Sequence, residues 1–120
     1  MKILIVEDEI FPALHLESVV EALGCTVVGI APDKATALRL AEESAADLAI
    51  VDLNLRDGLT GPELAREIAE RYGTKVLFLT ANPAQASLDF EGAVGIVDKP
   101  FDDTAVARAL ERIRKVAGGR

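Results

Sequence analysis

The chain has 120 residues, half of them hydrophobic, and a net charge of −7 from 13 basic and 20 acidic side chains. That length suits one domain with one core; no apolar run approaches the ~20 residues of a membrane helix, and Lys2 leads straight into a strand-like run rather than a signal peptide. A lone cysteine, Cys25, excludes a disulfide framework and a thiol metal site, and an acidic balance without a basic stripe argues against direct nucleic-acid binding, leaving a cytoplasmic protein as the default.

Strand-like and helix-like segments alternate five times. The first strand is expected at about Lys2 to Val6. A helix follows with Ala13, Leu16, Val20 and Leu23 on one face, Pro12 tolerated in its first turn, and Gly24 as its C-terminal cap. The second strand, about Thr26 to Ile30, leads through Asp33, a good N-cap, into a helix carrying Ala37, Leu38 and Ala41. The third strand, about Asp47 to Val51, precedes a long loop in which Asp57-Gly58 reads as a tight turn. Thr60-Gly61-Pro62-Glu63 fits a capping box, opening a third helix that buries Leu64, Ile68 and Tyr72. The fourth strand is expected at about Lys75 to Leu79. Beyond it the helical signal is weak: Pro83, Asp89 and Gly92 leave room for about two turns near Ala84 to Leu88. The fifth strand, about Ala93 to Val97, and a helix after Asp102-Asp103 with Val106, Ala109, Leu110 and Ile113 complete the chain. Ile- and Val-rich runs read as buried parallel strands, and their alternation with helices implies right-handed crossovers and an α/β sheet covered on both faces.

Parallel strands share one carboxyl edge, where ligands bind at the point of strand-order reversal. Glu7 and Asp8 end the run Ile3 to Val6, and Asp52 ends Leu48 to Val51. If those strands are neighbours, three carboxylates crowd one crevice. Two like charges ~4 Å apart repel by about 4 kcal/mol at an effective dielectric of ~20. A hard cation held by oxygen ligands, Mg²⁺ first, is the natural compensation. Lys99, at the end of Ala93 to Asp98, is placed to add the charge that holds a phosphoryl group. Taken singly these are ordinary residues: a turn acid, a strand-end hydroxyl at Thr80, a surface lysine. Their order along five strands is the specific signal.

That order, Glu7-Asp8, Asp52, Thr80-Ala81 and Lys99-Pro100-Phe101, resembles the receiver domain of two-component response regulators, over nearly all of Lys2 to Val116. The resemblance implies a flavodoxin-like, CheY-like sheet in the order 2-1-3-4-5, and a single receiver domain over residues 1–120. It implies that Asp52 accepts a phosphoryl group from a histidine kinase or a histidine phosphotransfer protein. Asp8, Glu7, Asp52 and the backbone carbonyl of Asn54 would hold Mg²⁺. Thr80 would hydrogen-bond the phosphoryl oxygens and Lys99 would pair with them. Ala81 would leave the acceptor open, Asn54 and Asn82 would tune the adduct's lifetime, and Lys99-Pro100 would be a cis peptide. An acyl phosphate formed this way is covalent catalysis at a carboxylate, not turnover of a small molecule.

Two departures stand out. Receivers commonly carry Tyr or Phe where this chain has Ile96, and a β-branched side chain cannot report by an aromatic flip. Either the segment between Thr80 and Lys99 is itself the mobile element, or Ile96 is only core. The loop after Asp52 also runs about one residue longer than the commonest form. His15 reads as a surface residue, as do Arg66, Glu67, Glu70 and Arg71. The leading expectation is a phosphorylation-controlled switch that signals by binding a protein partner, through helix one or the face of helix four, strand five and helix five. No output domain is expected after Ala117-Gly118-Gly119-Arg120, no membrane contact is expected, and the oligomeric state is open. Alternatives are a receiver module cut from a larger hybrid kinase or DNA-binding regulator, and a binding module that never accepts phosphate. A metabolite phosphohydrolase is disfavoured, because Glu7-Asp8-Glu9-Ile10-Phe11 does not match the Asp-x-Asp-x-Thr such enzymes resemble.

Overall fold

The computed structural model describes residues 1–55, 60–86 and 89–118. Five strands, β1 (Lys2–Val6), β2 (Thr26–Ala31), β3 (Leu48–Asp52), β4 (Lys75–Thr80) and β5 (Ala93–Asp98), form one parallel sheet in the order β2-β1-β3-β4-β5. The helices are α1 (Ile10–Ala22), α2 (Lys34–Ser44), α3 (Gly61–Tyr72) and α4 (Asp103–Gly118). Sheet alternation splits the core in two. Ile3, Ile5, Leu48, Ile50, Leu77 and Leu79 face α1 and α4; Leu4, Val6, Ala49, Val51, Val76 and Phe78 face α2 and α3. This is the expected α/β architecture, and it puts the strand order's reversal between β1 and β3.

Caps account for most boundaries. Asp33 accepts from the Thr36 amide at 2.9 Å, capping α2. After Ala22 the chain reverses through Gly24 at φ +87°, the left-handed geometry that glycine adopts without strain. The central strands run one residue further than the apolar runs suggest. Asp52 pairs with Leu79 and Thr80 with Asp98 in the ladders, so both polar residues are the last of their strands.

Two local expectations are corrected. Thr60 makes no side-chain cap on α3; it is already near-helical at φ −101°, ψ −6°. The helix start is set instead by Gly61, whose amide donates to the Leu53 carbonyl at 3.3 Å. A methyl group on Gly61 would lie 2.5 Å from the Leu53 Cα and 2.6 Å from the Asp52 carbonyl oxygen, both backbone atoms that cannot yield. After β4 the described residues hold one 3-10 turn, Pro83–Gln85, which ends at Ala86, extended at φ −79°, ψ 146°. Ser87 and Leu88, within the two expected turns, and the Asp57-Gly58 turn lie outside the described residues.

Candidate phosphoacceptor and metal site

The carboxyl ends of β1, β3 and β5 converge on a small acidic pocket. Glu7 is 2% exposed and Asp52 4% exposed, so two carboxylates are almost wholly removed from water. Asp8, half-buried, joins them: one carboxylate oxygen from each of Glu7, Asp8 and Asp52 lies within 4.8 Å of the others. Lys99 reaches in from the end of β5. Its Nζ donates to Glu7 Oε1 at 2.9 Å and to Asp52 Oδ2 at 3.2 Å. The other Asp52 oxygen, Oδ1, accepts from the Asn54 amide at 3.1 Å, which fixes the carboxylate's rotation. The Lys99-Pro100 peptide is cis.

Thr80 is fully buried at the end of β4, its Oγ1 accepting from the Asn82 amide at 2.9 Å. Its carbonyl accepts from the Lys99 amide at 2.8 Å, tying the ends of β4 and β5 together. Ala81, Asn82 and Asn54 lie exposed at the rim, as does Pro100. Ile96 stands apart from the pocket: it is half-buried, pairs with Phe78 in the sheet, and packs on the α2–α3 side. The direct grip of Lys99 on Glu7 has no sequence signal beyond the local charge imbalance, and neither does Gly61, whose lack of a side chain lets α3 abut the Asp52 backbone.

Burial pushes the Glu7 carboxyl up to about 7; the bond from Lys99 opposes this and the neighbouring Asp52 reinforces it. Burial pulls the Lys99 ammonium down, but its bonds to Glu7 and Asp52 outweigh this and leave it above its usual value. One ammonium thus faces two carboxylates, and a proton on Glu7 relieves the excess negative charge. The donor set is all carboxylate oxygen, hard and compact, which fits a small divalent cation such as Mg²⁺.

The Glu7 shift predicts a pH dependence. The native state holds the Glu7 proton more tightly than the unfolded chain, so the stabilisation is full below about 4.5 and lost as pH rises through about 7. The span corresponds to roughly 3 kcal/mol. In chelator, urea unfolding should show the wild type losing stability relative to Glu7→Gln between pH 5 and 8, on the order of 1 kcal/mol per pH unit through the steep part. A wild-type-minus-variant difference that stays flat across that range contradicts the assignment.

Outside the pocket, His15 is exposed on α1, as expected of a surface residue. Its Nε2 lies 2.8 Å from Asp103 Oδ1, and its ring stacks on Phe101 at 5.1 Å between centroids. Among the described residues no helix is long and apolar enough to cross a membrane.

Residues 3–111 match the family model of the response regulator receiver domain. The phyllosphere-induced regulator PhyR of Methylorubrum extorquens is 31% identical over 92% of this chain and 42% of its own length. The aerobic respiration control protein ArcA of Escherichia coli is 39% identical over 83% of this chain and 42% of its own length. The chain therefore spans less than half of either relative. Among solved structures, PhyR from Brucella abortus superposes with a TM-score of 0.82 at 32% identity, over 98% of this chain and 51% of that one. The receiver domain of the hybrid histidine kinase CckA gives 0.76 at 29% identity, over 93% of this chain and 97% of that one.

Proposed function

This chain belongs to the response regulator receiver family, a family of phosphorylation-based signalling modules, and we propose that Asp52 is its phosphoryl acceptor. The observation that carries the reading is the pairing of Asp52 with Lys99 inside a buried cluster that also holds Glu7 and Asp8. An Asp52 carboxylate oxygen attacks phosphorus, an acyl phosphate forms, and the leaving group departs with the electron pair of the bond it held to phosphorus. Lys99 exchanges its carboxylate partners for the incoming phosphoryl oxygens, and the Thr80 hydroxyl, whose oxygen accepts from the Asn82 amide, donates its O–H to one of them. Glu7, Asp8, Asp52 and the Asn54 carbonyl are the proposed ligands of Mg²⁺, which when bound neutralises charge on the transferred group. Ala81 keeps the approach open, and Asn54 and Asn82 line the mouth and set the adduct's lifetime.

The donor is proposed to be a phosphohistidine on a kinase or phosphotransfer protein. Directly after Asp8, α1 exposes Ile10 (58%), Phe11 (80%) and Leu14 (45%), an apolar patch at the rim that suits a protein donor better than a small molecule. The output is proposed to be a protein contact in the cytoplasm; PhyR of Bartonella quintana, a structural relative, is an anti-anti-sigma factor, which supports a protein as the downstream partner. Residues 1–120 act as one receiver unit. A second reading, a receiver module of a longer regulator, is supported by the chain's spanning 42% of PhyR and of ArcA; the reading frame beyond Arg120 separates the two.

The test is intact mass after incubation with acetyl phosphate. One base-labile phosphoryl adduct is expected with Mg²⁺ and little with a chelator. An adduct that forms equally without divalent cation, or none under either condition, refutes the reading.

A further inference from the structure

Ile96 is branched and half-buried, and the turn before β5 places an aromatic ring against β4. Phe90 is 9% exposed and meets Phe78 edge-on, with centroids 6.3 Å apart and planes at 86°. Phe78 is wholly buried and lies two residues before Thr80 on β4, so by strand alternation both point to the α2–α3 side of the sheet. From outside, the Arg66 guanidinium of α3 lies over the Phe90 ring at 5.0 Å and donates to Asp89 Oδ1 at 3.0 Å. One turn further along α3, Ala69 abuts Gly92: a Cβ there would sit 3.0 Å from the Ala69 methyl, and Gly92 holds φ +105°. The turn closes with the Ala93 amide donating to the Phe90 carbonyl at 3.2 Å and the Val76 amide to the Gly92 carbonyl at 2.7 Å. A continuous line of packed groups therefore runs from Phe78, two residues before Thr80 on β4, through Phe90 to an exposed Arg66–Asp89 pair.

Resting on the acceptor reading above, we infer that Phe90, held between Phe78 and Arg66, is the conformational reporter of this receiver, and that filling the Asp52 site loosens the Arg66–Asp89–Phe90 latch on α3. Thr80 Oγ1 accepts from the Asn82 amide, and its O–H is drawn toward a group on Asp52 to which it donates. That moves the end of β4 beside Phe78. Close-packed interiors answer such a shift by changing partners rather than by stretching. Ile96, branched at Cβ, has little rotamer freedom to absorb it, whereas Phe90 is held from outside by one stacked, exposed cation, a contact worth little enough to break. The readout lies on α3 and the turn at Asp89–Gly92.

The experiment is NMR of the full chain titrated with beryllofluoride and Mg²⁺. At rest, the Arg66 side-chain protons are displaced upfield by the Phe90 ring current. On saturation they move toward their unstacked positions, in step with the Asp52 and Thr80 amides, and Asp52→Asn holds them at rest. Phe90→Leu, which keeps an apolar filler without the ring, still titrates at Asp52 but loses the response of α3 residues 65–70. If the Asp52 and Thr80 amides titrate while Arg66 and Phe90 stay fixed, this inference fails and the acceptor reading stands. If the Asp52 amide itself does not respond, both fall.

Discussion

The Asp52→Asn variant, incubated with acetyl phosphate and Mg²⁺, keeps its unmodified intact mass under conditions in which the wild-type chain gains one phosphoryl group. The substitution preserves shape: the amide oxygen can still accept from the Asn54 amide, as Asp52 Oδ1 does at 3.1 Å. It removes the nucleophile, because a neutral amide oxygen does not displace a leaving group from phosphorus. It also removes one of the two charges that Lys99 balances, so the fold should survive, and the far-ultraviolet spectrum and urea midpoint serve as controls. Undiminished adduct in a folded variant would assign the acceptor to another residue.

Lys99→Ala is expected to have the second large effect, on stability and chemistry together. Glu7 and Asp52 would be left buried without their cation, and removing one partner of a buried pair costs about 3–5 kcal/mol. The cost depends on pH in a defined direction. Lys99 holds the Glu7 carboxyl down in the wild type, so without it Glu7 keeps a proton to higher pH, relieving one of the two stranded charges where the wild-type group is ionised and Lys99 is paired with it. Measured against the wild type, the destabilisation in chelator should be largest near pH 8 and shrink toward pH 5. Mg²⁺ should restore part of it. The rate of adduct formation should fall on the order of 10²-fold, the usual loss when one charged donor to a transition state is removed. Lys99→Arg should not rescue the rate, since a planar fork does not replace a compact ammonium set between the buried Glu7 and Asp52 carboxylates. A Lys99→Ala chain as stable at pH 8 as at pH 5, phosphorylated at the wild-type rate, would contradict the account.

Much of the architecture is legible in the sequence because burial on both faces leaves an unambiguous mark. Ile3 to Val6, Leu48 to Val51 and Val76 to Leu79 are unbroken apolar runs, and each sits in the middle of the sheet. The acidic residues after the first and third runs are legible as a pocket once the strands are taken as parallel neighbours. The departures share a physical reason. Thr60-Gly61-Pro62-Glu63 has the composition of a capping box, but the close approach of Gly61 to the Asp52 and Leu53 backbone decides the start of α3, and a tertiary contact leaves no local pattern. The stretch after Thr80 has a weakly helical composition; among the described residues it makes one 3-10 turn, opened by Pro83 and ended by the extended Ala86. Phe90 carries no sequence signal because a single aromatic after Asp89 has no periodicity. Its importance comes from Phe78, an earlier residue on β4, and Arg66 on α3.

The most direct test of the central assignment is chemical trapping of the adduct. Borohydride reduces an acyl phosphate to an alcohol, converting a phosphorylated aspartate into homoserine. After treatment with acetyl phosphate and Mg²⁺ and then borohydride, peptide sequencing by mass spectrometry should find homoserine at position 52 alone. Homoserine at position 8, or a stable phosphoryl group with position 52 unreduced, would contradict the account.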